Sequence, residues 1–315
     1  MQPEWGSKMG YLATIFPGTR RIRILLSRDQ VMLLMAALNE IMLGVETYLA
    51  HLISGTIVLY EWIPIVFGPV SGLILLAAGL LALRKRFLAT ILANLIFLSS
   101  IVVGLLGAYF HLVRAILPYA AAGQQVSVPL LVWAPPILGP LTFALVGLLG
   151  ISSAWIERPV DSGRLNIHGS RFIHLPYSKT RAYFFIVGMG SLATVISSVL
   201  DHARTNFSNP WLWLPTAVGV FATVVAVLLG VVSKPGRGDL WTYLVAMLLM
   251  IGVGVLGSAL HINHNLTSQG TIVNERFLRG APFLAPLLFA DIGAIGLVVL
   301  LDPKEPDSKP QVNAA

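Results

Sequence analysis

Long apolar runs, separated by short polar stretches, dominate the hydrophobic pattern of the 315-residue chain. About 20 consecutive apolar residues allow a helix to cross the hydrocarbon core of a bilayer. Eight runs meet or approach this length, at residues 31–54, 62–83, 88–113, 130–154, 183–200, 211–233, 240–262 and 281–301. The pattern therefore predicts an all-α integral membrane protein with eight transmembrane helices.

The charged residues agree with this prediction and add an orientation. They make up 11% of the chain, whereas soluble domains contain about 25%. Of the 21 Lys and Arg residues, 17 fall before the first helix, in the turn at 84–86, in the stretch 157–182, between the sixth and seventh helices, and after the last helix. The positive-inside rule then places both termini in the cytoplasm and the protein in the inner membrane. The same distribution explains the net charge of +7 without a nucleic-acid partner.

A nine-residue stretch occurs twice, as VGLLGAYFH at 103–111 and VGVLGSALH at 253–261. Further identities follow at offsets of 151, 150 and 146 residues over most of the chain. These matches predict a tandem duplication of a four-helix unit, whose even number of helices repeats it in the same orientation. The predicted organisation is a cytoplasmic N-terminal segment (1–30), a first unit (31–156), a cytoplasmic linker without chemistry of its own (157–182), a second unit (183–302) and a cytoplasmic tail (303–315).

Four histidines recur at matching positions of the two predicted units. His51 and His111 lie near the outer ends of the first and third helices of the first unit, and His202 and His261 do so in the second. Two histidines on different helices of a four-helix bundle are suited to bind a b-type haem axially. One hypothesis is therefore one or two haem b groups, bound within each unit or by pairs crossed between units. The alternative is that these histidines are ordinary interfacial residues with local hydrogen bonds.

Arginines on the outward side fit the haem hypothesis, because haem propionates are anionic. Arg114 follows His111 by three residues, Arg204 follows His202 by two, and Arg279 lies in the loop after His261. The chain contains no cysteine, which excludes covalently attached c-type haem, iron–sulfur clusters and thiolate metal sites.

A discrete metal site is a further hypothesis for the second unit. His261 and His264 are three residues apart, a spacing that places two imidazoles on one face of a helix. Glu275 is a candidate third ligand. The first unit has Arg114 where the second has His264, so the pair is not repeated.

Three carboxyl groups within the predicted spans are candidate catalytic residues. Glu40 lies near the middle of the first helix, Glu46 lies closer to its outer end, and Asp291 lies near the middle of the last helix. Ionisable residues at such depth often mark proton or ligand paths. Glu40 shares a helix face with Thr47 and His51, which predicts a polar stripe towards the outer face. The alternative is a neutral Glu40 that hydrogen-bonds to a neighbouring helix.

The plan of two four-helix membrane units with paired histidines resembles that of haem A synthases and, less closely, that of quinol-interacting membrane subunits of respiratory oxidoreductases. In the synthases the histidines fall on even-numbered helices, whereas here they fall on odd-numbered ones, so the resemblance concerns architecture alone. Three functions remain open: an electron-transfer subunit that interacts with quinol or a periplasmic redox partner, a proton-coupled transporter, and a non-catalytic scaffold that binds other membrane subunits.

Overall fold

A computed structural model of the protein describes residues 10–21, 26–53, 55–82, 84–124, 127–168, 171–267 and 275–301. These ranges are mostly helical. They include six helices that are long and apolar enough to cross a membrane: α2 (Arg28–Leu52), α3 (Trp62–Ala82), α4 (Arg86–Phe110), α7 (Lys179–Ala203), α8 (Trp213–Val231) and α9 (Arg237–Thr267). Two shorter apolar helices accompany them, α6 (Leu138–Ala154) and α11 (Leu287–Val299). The remaining helices are the short α1 (Gly10–Ile15), α5 (Val128–Trp133) and α10 (Glu275–Arg279).

The eight apolar helices form two four-helix bundles, each with its own core. In the first bundle α2 and α4 occupy diagonal corners, and both pack against α3 and α6. In the second bundle α7 and α9 occupy the diagonal corners between α8 and α11. Contacts of α6 with α7 and of α2 with α11 join the bundles. Phe97 is fully buried in the first core, and Tyr243 and Met247 are fully buried in the second.

The sequence pattern had predicted continuous helices from residue 130 and from residue 281, over the fourth and eighth apolar runs. In the structure neither of these helices is continuous. Residues 134–137 interrupt the fourth run between α5 and α6, and α11 begins only at Leu287. The physical cause is proline, which has no N–H group to donate and disfavours helical backbone at the preceding residue. Pro135 and Pro136 lie in the first interruption, and Pro282 and Pro286 precede α11. Each interruption leaves backbone carbonyl groups outside a regular helix, near the histidine-bearing ends of α4 and α9.

The glycines of the repeated nine-residue stretch allow close backbone packing. A methyl group on Gly104 would lie 2.6 Å from the backbone nitrogen of Ala144 in α6. A methyl group on Gly254 would lie 2.5 Å from the backbone nitrogen of Ala290 in α11. Any larger residue at these positions would separate the third and fourth helices of each bundle.

The segment between the bundles contains β-strands, which the prediction of an all-α protein had not included. It forms a three-stranded antiparallel sheet of β1 (Ile156–Glu157), β2 (Arg164–His168) and β3 (Arg171–His174) in that order. The carboxylate of Glu157 accepts backbone N–H groups of Gly163 at 2.7 Å and of Lys179 at 3.0 Å. Glu157 therefore fixes the sheet to the first turn of α7.

The N-terminal segment packs against the second bundle. Tyr11 and Ile15 of α1 are buried in the second core. The N–H group of Leu12 donates to the carbonyl of Leu300 at 3.0 Å, and Arg237 donates to the carbonyl of Ile15 at 3.2 Å. Helix α1 is thereby connected to Leu300, directly after α11.

Candidate functional site

The histidines predicted to pair in the first unit lie together. Helices α2 and α4 run parallel, because α3 alone separates them in the sequence, so His51 and His111 lie at the same end of the bundle. Their ring centroids are 6.1 Å apart, and the ring planes are inclined by 58°. His111 begins a π-helical turn, His111–Ile116, that extends α4, and such turns are frequent at functional sites. The bundle therefore brings two imidazoles together from diagonal corners.

Backbone carbonyls orient both rings of this pair. Nδ1 of His51 lies 2.8 Å from the carbonyl of Thr47, and Nδ1 of His111 lies 2.8 Å from the carbonyl of Pro136. A carbonyl can only accept a hydrogen bond, so each Nδ1 is the donor in its contact. Metal-binding histidines are commonly oriented in this way, by a hydrogen bond from the ring nitrogen that does not bind the metal. Glu61 lies beside the pair, with Oε1 3.9 Å from Nε2 of His51.

The second bundle repeats much of this arrangement. Nδ1 of His261 lies 2.9 Å from the carbonyl of Pro282, which corresponds to the contact of His111 with Pro136. Nδ1 of His202 lies 3.3 Å from the hydroxyl of Ser198. Both bundles therefore hold the histidine of their third helix through a proline carbonyl.

The three arginines predicted to accompany the histidines have different environments. Arg114 is exposed, and its guanidinium lies 5.2 Å from the ring centre of Tyr60. Arg204 donates to the carbonyl of Val132 at 2.7 Å and lies 3.9 Å from Asp201. The side chain of Arg279 lies outside the described residues. Arg114 therefore contacts Tyr60 of its own unit, whereas Arg204 also reaches α5 of the first unit.

Among the described residues, no third metal ligand lies beside His261 and His264. In the part of the chain that the structure describes, no three His, Cys, Asp or Glu side chains are grouped closely enough to hold a metal ion. His264 is exposed, and Glu275 lies beyond the segment 268–274, which is outside the described ranges. A metal at these residues stays a prediction.

Glu40 lies in the interior of the first bundle and is completely buried. Its carboxyl oxygens lie 2.5 Å from the hydroxyl of Ser100 in α4 and 3.2 Å from the hydroxyl of Ser71 in α3. The polar stripe predicted along α2 is less continuous, because the hydroxyl of Thr47 donates to its own helix at the carbonyl of Leu43. Sequence reasoning had not identified Ser71 and Ser100, since isolated serines in apolar helices give no distinctive signal.

The other two candidate carboxyl groups differ from Glu40. The side-chain amide of Asn39 in α2 donates to Asp291 in α11 at 2.9 Å. This hydrogen bond connects the two bundles, and Asn39 precedes Glu40 but points to a different neighbour. Glu46 lies six residues further along α2 and is partly buried. Asp291 and Glu40 therefore belong to separate polar sites.

A polar cluster at the opposite end of the bundles was missed by the sequence analysis, which counted its basic residues as loop charges. Lys179 is 1% exposed, and Nζ contacts Asp29 at 2.6 Å and donates to the carbonyl of Trp155 at 2.5 Å. Arg28 is 2% exposed and donates to the hydroxyl of Thr180 at 2.6 Å. Tyr183 adds a hydrogen bond to Asp29 at 3.1 Å. The cluster fixes the first turn of α2 to the first turn of α7.

The contacts in this cluster are reciprocal. Arg28 and Lys179 are 151 residues apart, as are Asp29 and Thr180. Arg28 binds Thr180 while Lys179 binds Asp29, a pattern that a two-fold relation between equivalent surfaces produces. Ser27 and Ser178, also 151 residues apart, cap the starts of α2 and α7. The repeat offset was the signal that could have identified the cluster from the sequence.

Comparisons with protein-family models, curated proteins and solved structures return no match for this chain.

Proposed function

We propose that the chain is an inner-membrane protein built by tandem duplication of a four-helix unit. It has eight transmembrane helices, and both termini lie in the cytoplasm. The reciprocal Arg28–Thr180 and Lys179–Asp29 contacts support a two-fold axis along the membrane normal. The matching contacts of Gly104 with Ala144 and of Gly254 with Ala290 support equivalent bundles. The basic residues at the ends that hold Arg28 and Lys179 support the orientation.

Within this architecture we propose that the paired histidines bind haem b and that the protein is an electron-transfer subunit of the membrane. The observation that carries the proposal is the His51–His111 pair, with 6.1 Å between ring centroids and both Nδ1 atoms held by backbone carbonyls. Two imidazoles on opposite sides of one metal have ring centroids about 6 Å apart, because each metal–nitrogen bond is about 2 Å and each ring radius adds about 1 Å. The pair therefore fits bis-histidine ligation in its spacing.

The protein residues would have defined tasks at such a site. His51 and His111 would present Nε2 as the ligand atom, since the carbonyls of Thr47 and Pro136 bind the protonated Nδ1. Arg114 would balance propionate charge at the outward end. A bound haem supplies one-electron redox chemistry. A site at the outer end of the bundle favours exchange with quinol or with a periplasmic protein.

The test is an absorption spectrum of the purified full chain, recorded before and after reduction. We expect the sharp reduced band of low-spin, bis-histidine haem, and we expect His111→Ala to weaken it. His174→Ala is the matched control, because His174 is exposed in β3 and far along the chain from both pairs. Equal spectra for the two variants would contradict the assignment.

A proton-coupled transporter is the second candidate, favoured by the Asn39–Asp291 hydrogen bond between the bundles. Transporters built from two repeats bind substrates and coupling ions at the interface of the repeats. Under this proposal, vesicles that contain the protein would take up protons when a potassium diffusion potential is imposed, and Asp291→Asn would abolish the uptake. Uptake that is equal in the variant would remove this candidate.

A further inference from the structure

One layer in the interior of the first bundle contains a carboxyl group and two hydroxyl groups that contact one another. Glu40, Ser71 and Ser100 have exposed fractions of 0%, 1% and 0%. They come from three helices and meet through the two carboxyl oxygens of Glu40. The layer lies near the middle of α2, about 12 residues from Arg28, which corresponds to about 18 Å along a helix.

No formal charge among the described residues opposes or balances Glu40 in this layer. Helices α3 and α6 contain no Asp, Glu, Lys, Arg or His, and α4 contains only Arg86 at its start. On α2 itself, Arg28 and Asp29 lie at one end, His51 lies at the other, and Glu46 lies more than one turn from Glu40. Asp291 of α11, which packs against α2, is bound by Asn39 and does not hydrogen-bond to Glu40. The two serine hydroxyls are the side chains that hydrogen-bond to the carboxyl group. The net charge of this layer therefore changes only when Glu40 binds or releases a proton.

The serines provide hydrogen bonds for both protonation states. Besides Glu40, Ser71 lies 2.9 Å from the carbonyl of Gly68, and Ser100 lies 2.8 Å from the carbonyl of Phe143. When Glu40 is ionised, both hydroxyls can donate to its two oxygens. When Glu40 is neutral, its own O–H donates to Ser100, Ser100 donates to Phe143, and Ser71 donates to the other carboxyl oxygen. Rotation of one hydroxyl group accommodates the proton, and no heavy atom has to move.

The corresponding layer of the second bundle lacks this capacity. At the repeat offsets of 151 and 150, Glu40, Ser71 and Ser100 correspond to Ser191, Ala222 and Met250. All three of these residues are fully buried. The hydroxyl of Ser191 is one of two buried side-chain polar atoms in the described chain without a hydrogen-bond partner. Three buried positions thus differ together between the bundles, and the carboxyl group and both of its partners are present in only one.

We propose that Glu40, Ser71 and Ser100 form a proton-binding site of the first bundle, which binds and releases one proton inside the membrane span. Ser71 and Ser100 act as positioning residues that keep the carboxyl group hydrogen-bonded in both states. The site does not depend on haem, and it persists whether or not the histidines bind a cofactor. Buried carboxyl groups with such partners are typical of proton paths.

Infrared difference spectra of the full chain in lipid vesicles, recorded between acidic and alkaline pH, test the proposal. We expect a C=O band of a neutral carboxylic acid that is present at acidic pH and lost at alkaline pH. Glu40→Gln should remove this band, and Ser100→Ala and Ser71→Ala should each displace it, because the hydrogen bonds of the acid change. Ser191→Ala is the matched control from the second bundle and should leave it unchanged.

Two results would overturn the proposal. One is the absence of any pH-dependent carboxyl band that Glu40→Gln removes, since bands of Asp291 or Glu46 would persist in that variant. The other is loss of the band when sodium chloride is added at constant pH, which would assign the oxygen cluster to a metal cation instead of a proton. Thermal melting identifies folded preparations, and Ser71→Ala provides the serine test if Ser100→Ala does not fold.

Discussion

Replacing Asp29 by asparagine tests how the first turns of α2 and α7 hold the two bundles together. The change keeps the side-chain size but leaves the ammonium of Lys179, which is 1% exposed, without its anionic partner at 2.6 Å. Removing one partner of a buried ion pair costs about 3–5 kcal/mol. Asp29 itself is 27% exposed, and Lys179 retains the carbonyl of Trp155, so we expect a loss at the lower end, about 3 kcal/mol.

The assay is the free energy of unfolding in mixed micelles, with two comparisons. Asp201→Asn is the matched control, since the Asp201–Arg204 pair is 3.9 Å apart and both side chains are about 40% exposed; exposed pairs contribute about 0–1 kcal/mol. The double variant Asp29→Asn/Lys179→Met removes the unpaired charge and should be more stable than Asp29→Asn alone. Equal losses for Asp29→Asn and Asp201→Asn, or a double variant less stable than the single one, would refute the reasoning.

The remaining predictions concern packing, orientation and the inter-bundle carboxyl group. Gly254→Ala should destabilise the folded protein by about 1–3 kcal/mol, because the added methyl group meets the backbone of α11. Gly252 lies in the same helix with open space around it, so Gly252→Ala should leave the melting temperature unchanged or raise it. In this cysteine-free chain, an impermeant thiol reagent should label a cysteine at the exposed Ala122 in intact cells and miss one at the exposed Ile173; the reverse labelling would invert the topology. Asp291→Leu should destabilise more than Asp291→Asn, since only asparagine can still accept the Asn39 amide; equal melting temperatures would show that this hydrogen bond does not join the bundles.

Much of the helical architecture was predictable because apolar run length and the repeated stretch are strong local signals. The pattern indicated helices over α2, α3, α4, α7, α8 and α9, and the structure has them. The breaks before α6 and α11 were harder to place, since prolines are also compatible with the first turn of a helix. The sheet between the bundles has no periodic signal long enough to stand out, and its short strands depend on capping contacts of Glu157.

The sequence predicted the pairing of the histidines but neither their hydrogen bonds nor the buried basic cluster. The pairing of His51 with His111 followed from parallel helices and equal depth, and the structure places the rings together. The hydrogen bonds of His111 and His261 to carbonyls did not follow, because Pro136 and Pro282 lie in irregular backbone whose path tertiary packing determines. The burial of Arg28 and Lys179 contradicts the usual exposure of basic residues at helix ends, and it reflects their contacts with Thr180, Asp29 and the carbonyl of Trp155.

The number of haem groups per chain tests the central claim most directly. Haem is extracted with acid, which releases it because no cysteine anchors it, and is counted against the protein in the wild type and in histidine variants. Two haems in the wild type, one in His111→Ala, one in His261→Ala and none in the double variant are expected, with folded protein in each case by thermal melting. A colourless and well-folded wild type from haem-replete cells, or haem that both substitutions leave in place, would contradict the account.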